Sequence, residues 1–206
     1  MAQFVNLNPG SLRELHVGNE RLVSYNVEMT EVTGGTFWKA YTPAQIAGTE
    51  PFVLKGGFLG NATASTDLMQ YYDPIDLSDK KLRKLAKEIG PAWVRVSGTW
   101  STKTYYDFDG HTNGVIPEGY NAILTREQWL GVLDFCKDIG AKLLISVADC
   151  EGLHHADEPW NPSQAEQIFA LSKEYGKAID AAEFVNEPNL LAMSGCPKSY
   201  TAEQYV

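Results

Sequence analysis

The stretch DKKLRKLAKEIGPAWVRVS, residues 79–97, decides the fold class because it joins one clear helix to one clear strand. In its first half Leu82, Leu85, Ala86 and Ile89 recur at helical spacing, and lysine and arginine side chains fall on the opposite face. A Gly-Pro pair directly after this face ends the helix. The AWVRVS that follows is rich in β-branched side chains, which predicts a strand.

The same order of helix and strand recurs downstream. Thr125, with Gln128 three residues later, has the pattern of a capping box and opens a second helix that ends near Gly140. The near-continuous apolar run KLLISVA over Lys142–Ala148 then predicts a strand in a sheet that is buried on both faces.

A third helix, from Ser163 to about Gly176, precedes a predicted strand over Ala182–Asn186, and Arg21–Met29 supplies a strand upstream of the first helix. Strands that alternate with helices build parallel βα units, so we expect an α/β fold with four parallel strands. An open doubly wound sheet and a (β/α) barrel both fit this order. No glycine-rich phosphate-binding pattern follows a strand, so a nucleotide-binding fold has no support.

Two segments outside these units are less regular. Ser11–Val17 alternates in polarity and predicts an N-terminal strand, followed by a turn at Gly18-Asn19. Residues 30–78 show no helical period. Irregular segments of this length are rare in compact domains unless they carry function, so we expect a long loop over a cleft, with short strands inside.

The composition restricts the class of partner. The chain has 206 residues and a formal net charge of −9, which argues against nucleic-acid binding because that needs a basic surface. The longest almost uninterrupted apolar run, Leu143–Ala148, is far shorter than the roughly 20 residues that span a bilayer, so we expect no membrane span. The first ten residues lack the basic and apolar regions of a signal peptide, and a secreted or periplasmic location would require that one had been removed.

The sharpest functional signal is Asn186-Glu187-Pro188, directly after a predicted buried strand. Proline disfavours helical geometry in the residue before it, so we expect Glu187 at the extended end of the strand, with its carboxylate pointing out of the sheet. Barrel enzymes keep their catalytic groups at the carboxyl ends of such strands. The alternative is that the tripeptide only ends a strand, but its position after the fourth βα strand favours catalysis.

Three segments give the chain a resemblance to a known family: VSYNVEM (residues 23–29), LRKLAKEIGPAWVRVSGT (82–99) and EFVNEPN (183–189). An Asn-Glu-Pro after the fourth strand resembles the acid/base signature of retaining glycosidases with (β/α)8 barrels. A helix, a Pro-Ala pair and a strand that ends in Arg-x-x-Gly-Thr are similar to the heparanase and β-glucuronidase family, glycoside hydrolase family 79.

The resemblance implies that the chain is the N-terminal half of a (β/α)8 TIM barrel. Residues 1–20 would be the strand region of an accessory β-domain, and residues 21–206 would be the first four βα units of the catalytic barrel. Because such a barrel needs about 250 residues, we expect the C-terminal remainder of the enzyme to be a second chain or a missing segment. The nucleophile would lie in that remainder, since nothing after Glu187 resembles it, and the chain alone would be inactive.

The resemblance also implies roles for individual residues. Glu187 would be the general acid/base, and Asn186 would bind the 2-hydroxyl of the sugar. Asn26 and Glu28 occupy places where the family has polar sugar-binding side chains, although an Asp and an Asn would be more heparanase-like, and an ordinary exposed strand end is the alternative. Gly98-Thr99 would border the same sugar.

The polar segment DCEGLHHAD, residues 149–157, follows the third strand of the predicted sheet. We expect it to line the substrate cleft, with His154 touching substrate. Its histidines, cysteine and carboxylates match no recognised metal-site spacing, so we expect neither a metal nor a cofactor.

The function that follows is hydrolysis of a uronic-acid-containing glycan by a heparanase-like endo-β-glucuronidase or a β-glucuronidase. A retaining hydrolase of the same clan that acts on neutral β-glycosides is one alternative. A non-catalytic glycan-binding barrel is the other.

Overall fold

A computed structural model describes residues 6, 8–51, 69–155, 158–190, 196 and 201–205. The strands are β1 (Val23–Glu28), β2 (Gly35–Trp38), β3 (Met69–Tyr72), β4 (Ala92–Ser97), β5 (Thr104–Asp107), β6 (Ala122–Thr125), β7 (Lys142–Ser146) and β8 (Ala181–Glu183). The helices are α1 (Met29–Thr33), α2 (Pro43–Ile46), α3 (Lys80–Ile89), α4 (Arg126–Asp138), α5 (Ser163–Glu174) and α6 (Ala202–Tyr205).

The centre of the fold is a four-stranded sheet in the order β1-β4-β7-β8, and all of its strands are parallel. The predicted α/β class is therefore confirmed. Each strand lies beside the strand of the preceding βα unit, and among the described strands the order does not reverse as it does at the centre of a doubly wound sheet.

Local signals in the sequence correctly predict where α3 and α4 begin. Asp79 caps α3 by accepting a hydrogen bond from Leu82 N at 2.7 Å, as expected for a short polar side chain before a helix. Both hydrogen bonds of the predicted capping box of α4 are present, between Thr125 and Gln128. The predicted apolar face of α3 is only partly buried, because Leu85 and Ile89 are 49% and 52% exposed.

The predicted strand over Ser11–Val17 is wrong. The described residues from 12 to 22 form no strand, and Leu12, Leu15 and Val17 are exposed. Alternating polarity does not make a strand unless another strand accepts its backbone hydrogen bonds, and in the described part of the chain none pairs with this segment. The assignment of residues 1–20 to an accessory β-domain stays a prediction.

Short strands do occur in the segment from 30 to 78, as expected. β2 pairs with β3 in an antiparallel ladder from Gly35↔Tyr72 to Trp38↔Met69, and residues 52–68 between them lie outside the described residues. The sequence missed a second small sheet, in which β5 and β6 pair in parallel. These strands have four residues each, too few for a clear periodic pattern.

The two faces of the central sheet differ in chemistry. One face carries Val94, Val96, Leu143 and Ile145, which are at most 1% exposed and belong to the main core with residues of α4 and α5 such as Trp129. The registers Asn26↔Arg95, Glu28↔Ser97 and Ser146↔Glu183 place a row of polar side chains on the other face. The candidate site lies on this polar face.

Among the described residues, no helix combines the length and the apolar character needed to cross a bilayer.

Candidate active site

The carboxyl ends of three sheet strands bring most of the predicted site residues together. β1 ends at Glu28, Gly98 and Thr99 follow β4, and Asn186 and Glu187 follow β8. Because all four strands are parallel, these ends lie at one edge of the sheet. Direct hydrogen bonds join the side chains of Asn26 and Glu28, of Asn186 and Glu187, and of Thr99 and Glu187.

Arg95 is the centre of this cluster. Its Nη1 donates to Asn26 Oδ1 at 2.6 Å, and its Nη2 donates to Asn186 Oδ1 at 2.8 Å and also to Glu183. The planar guanidinium suits this task because its donors leave in a fixed fork. One arginine thus orients both asparagine side chains.

Each asparagine in turn donates a hydrogen bond to a glutamate. Asn26 Nδ2 donates to Glu28 Oε1 at 3.2 Å, and Asn186 Nδ2 donates to Glu187 Oε2 at 3.3 Å. The amide oxygens face the arginine, so the amide nitrogens face the carboxylates. Thr99 Oγ1 adds a donor to Glu187 Oε2 at 3.4 Å.

Glu187 differs from the expected geometry. Its φ is +51°, so the predicted extended conformation is wrong. Proline at the next position disfavours the right-handed helical region, and here the chain takes the left-handed region, followed by a tight turn over Pro188–Leu190. A left-handed conformation costs a residue with a Cβ about 1–2 kcal/mol, and strain of this kind collects at functional sites.

Glu28 is half-buried and packs against the backbone of Gly98. A Cβ on Gly98, whose φ is +97°, would lie 1.6 Å from Glu28 Oε2, so glycine is required by both the space and the backbone. Oε2 is buried without a hydrogen-bond partner among the described residues. Burial raises the pKa of Glu28; the Asn26 hydrogen bond opposes this, and the nearby charges of Glu31 and Glu187 add to it.

Glu183 has the opposite environment. Its carboxylate accepts hydrogen bonds from Ser97 at 2.8 Å, from Ser146 and from Arg95. Desolvation alone would raise the pKa of Glu183, but the hydroxyl hydrogen bonds and the guanidinium together lower it. The ionised carboxylate of Glu183 therefore binds the guanidinium of Arg95 and fixes its position.

No role in the site was predicted from the sequence for Arg95, Glu183, Ser97 or Ser146. Arg95 and Ser97 do carry a signal, since they alternate with Val94 and Val96 in β4 and so share a face away from the apolar core. Their convergence on Glu183 depends on the register of three strands, which no single segment encodes.

His154 lies inside the protein, with Nδ1 3.2 Å from Asp149 Oδ1. Its side chain is 5% exposed and that of Asp149 is fully buried. The expected contact between His154 and substrate stays a prediction.

The site can hold one exposed carboxylate, Glu187, in a fixed position beside a neutral amide and a hydroxyl.

Compared with models of known protein families and with curated protein sequences, the chain gives no match.

Proposed function

We propose that this chain is the acid/base-bearing part of a retaining β-glycoside hydrolase of the heparanase and β-glucuronidase type. The observation that carries the proposal is the hydrogen-bonded contact of Glu187 with Asn186 and Thr99 at the carboxyl edge of a parallel sheet. This is the edge at which barrel enzymes assemble catalytic groups from several strands. The Asn-Glu-Pro sequence supplies the residue types that general acid/base catalysis beside a sugar hydroxyl requires.

In this mechanism Glu187 first protonates the leaving oxygen of the glycoside. A second carboxylate, from the remainder of the enzyme, attacks the anomeric carbon and forms a glycosyl-enzyme. Glu187 then takes a proton from the attacking water. In this proposal Asn186, whose amide oxygen accepts a hydrogen bond from Arg95, would donate to the sugar next to the bond that breaks.

The proposal that the sheet is half of a (β/α)8 barrel rests on the order of its strands and on apolar side chains that are exposed on its helices. Four strands follow one another without a reversal, and the face opposite the helices would be the inside of such a barrel. Apolar side chains are exposed on the outer units, including Leu85 and Ile89 on α3 and Phe169 on α5. A remainder of four βα units, as a second chain or further segment, would cover these surfaces.

Two substrate classes are candidates for this enzyme: uronic-acid-containing glycans and neutral β-glycosides. Family resemblance favours uronic-acid-containing glycans, which require cationic recognition. Arg95 is the cation in the described cluster, and its donors are directed to Asn26, Asn186 and Glu183. That engagement favours neutral β-glycosides unless the remainder of the enzyme supplies the cations. A panel of aryl β-glucuronides and aryl β-glucosides, assayed on the protein with all its associated chains, separates the two.

The catalytic role of Glu187 is tested by Glu187→Gln in the same complete protein. On substrates with poor leaving groups we expect kcat to fall by roughly 10²–10⁴, the usual contribution of general acid catalysis. Aryl glycosides with acidic leaving groups need less protonation, so their first step should fall least, and added azide should restore turnover.

Glu174→Gln is the matched control, because Glu174 is exposed on α5 and should leave all rates unchanged. Unchanged hydrolysis of poor leaving groups by Glu187→Gln would remove Glu187 from the mechanism. Retention is checked separately by NMR of the first product anomer.

A further inference from the structure

A second cluster of polar side chains lies where β5 ends, in the connection between β4 and α4. The sequence there is Asp107-Phe108-Asp109-Gly110-His111, and the first, third and fifth residues turn toward one another. One ligand-type atom from each of these three residues lies within 4.8 Å of the other two. His111 Nδ1 is 2.5 Å from Asp109 Oδ1 and 3.3 Å from Asp107 Oδ1.

Asp107 is the unusual member, because its side chain is only 5% exposed. Its Oδ2 accepts hydrogen bonds from Thr112 Oγ1 at 2.5 Å and from Thr112 N at 3.3 Å. Its Oδ1 is buried and has no hydrogen-bond partner among the described residues, although it points toward His111 Nδ1. A buried carboxylate oxygen without a donor is costly, and a cation at this position would remove that cost.

His111 is held in the orientation of a metal ligand. Its Nε2 lies 3.2 Å from the hydroxyl of Tyr105, and the two rings pack edge to face with centroids 5.8 Å apart. With Nε2 engaged by the hydroxyl, Nδ1 faces both carboxylates. Metal-bound histidines typically use their second ring nitrogen in this way, which fixes the tautomer and the ring plane.

We propose that Asp107, Asp109 and His111 form a binding site for a divalent transition-metal ion of the zinc type. One imidazole and two carboxylates suit zinc, whereas calcium and magnesium prefer oxygen ligands alone. Tetrahedral zinc with ligands at 2.0–2.1 Å holds its ligand atoms about 3.4 Å apart. The separations in the cluster, from 2.5 Å to at most 4.8 Å, bracket that value, so small side-chain rotations complete the site.

The backbone of the turn supports this arrangement. Gly110, Asn113 and Gly114 all have positive φ, and Asn113 N donates to Gly110 O at 3.3 Å, as in a tight turn. Gly114 N donates to Thr112 Oγ1 at 3.2 Å, and that hydroxyl in turn donates to Asp107 Oδ2. The carboxylate of Asp107 is thus fixed by a second layer of hydrogen bonds, and its free oxygen faces the cluster. The site stands independently of the proposed hydrolase function.

The competing interpretation is a simple ion pair between protonated His111 and Asp109. It accounts for the contact with Asp109 and gives Asp107 Oδ1 a charged partner at 3.3 Å, but it leaves that buried oxygen without a hydrogen bond among the described residues. The two interpretations differ in what zinc does to the protein.

The test is a calorimetric titration of chelator-treated, dialysed protein with ZnCl₂, with bound zinc counted by elemental analysis. We expect saturable binding of one zinc per chain, a higher Tm in its presence, and a zinc-dependent shift of the His111 ring resonances by NMR. Calcium and magnesium chloride should neither bind tightly nor compete.

His111→Ala and Asp109→Asn should each weaken zinc binding by at least about tenfold, a loss of about 1.4 kcal/mol. Both side chains are mostly exposed, so these variants should fold, and far-ultraviolet circular dichroism checks that they do. His16→Ala is the matched control, because His16 is exposed and lies outside the cluster. No saturable binding, affinity unchanged in both cluster variants, or an equal loss in His16→Ala would overturn the proposal.

Discussion

At the scale of single residues, Glu187 combines an exposed carboxylate with a left-handed backbone. Its φ of +51° stands directly before proline, and its side chain accepts hydrogen bonds from Thr99 and Asn186. The same residue is therefore strained and held by its neighbours. Strain of this kind is characteristic of functional sites, which agrees with the proposed role of Glu187.

The strain predicts an unusual order of stability for two variants. Alanine keeps the Cβ that makes φ of +51° unfavourable, whereas glycine removes it. We expect Glu187→Gly to be more stable than Glu187→Ala by about 1 kcal/mol, measured by urea unfolding. Both should lack activity in the complete enzyme.

Lys84, exposed in the middle of α3, provides the control for this pair. At a helical position glycine is less favourable than alanine by about 1 kcal/mol, so Lys84→Gly should be the weaker variant there. If the order at Glu187 is the same as at Lys84, the backbone at Glu187 is not left-handed.

At the scale of elements, the capping box of α4 ties a local sequence signal to the core. Thr125 begins the helix that carries Trp129 and Leu133 into the main cluster, both of them fully buried. Thr125→Ala removes the acceptor for Gln128 N and should lower the free energy of unfolding by about 1 kcal/mol. Thr42 has the same box on the four-residue α2. Thr42→Ala should change global stability much less, because no residue of α2 is buried.

The polar face of the sheet predicts a dependence of stability on pH. Glu183 has a lowered pKa in the folded protein, so it stabilises the fold above its unfolded pKa of about 4.3. That contribution is lost as the pH falls through the lower, folded-state pKa. Glu183→Gln should therefore flatten the loss of stability below about pH 4, measured by urea unfolding at a series of pH values. A pH profile with the wild-type slope would mean that Glu183 has no favourable partner in the folded state.

The elements show which features a sequence can predict. β4 and the cap of α4 occur where the pattern put them, because periodicity and capping are local. The last strand was predicted over Ala182–Asn186 but covers Ala181–Glu183, because the chain already bends at Phe184. The predicted strand over Ser11–Val17 is wrong because a strand needs a neighbouring strand to pair with, and the segment's own sequence does not show whether one is present.

Some residues of the candidate site can likewise be predicted from the sequence, and others cannot. Glu187 and Asn186 stand out because Asn-Glu-Pro after a strand is a compact pattern. Arg95 and Glu183 lie 88 positions apart and meet only through the register of β4, β7 and β8. The cluster of Asp107, Asp109 and His111 is local, but its spacing fits no recognised zinc pattern, so its geometry became visible only in the folded chain.

At the scale of the whole molecule, the sheet is well packed in the middle and sparsely covered at its margins. β4 and β7 each have a strand on both sides, whereas β1 and β8 have one described neighbour each. β1 begins at Val23, which is 43% exposed, and β8 has three residues. The free energy of local opening should therefore differ across the sheet.

Native-state hydrogen exchange of the 206-residue chain measures this difference. We expect the slowest amides in β4 and β7, near Val94, Val96 and Leu143, because opening there must break two ladders and expose the main core. Amides of β8 should exchange faster, and those from 12 to 22 fastest, since these residues form no strand and all of them except Arg21 are exposed. Protection of β8 equal to that of β7 would contradict the prediction, because an edge strand of three residues reaches that protection only when a further strand pairs with it.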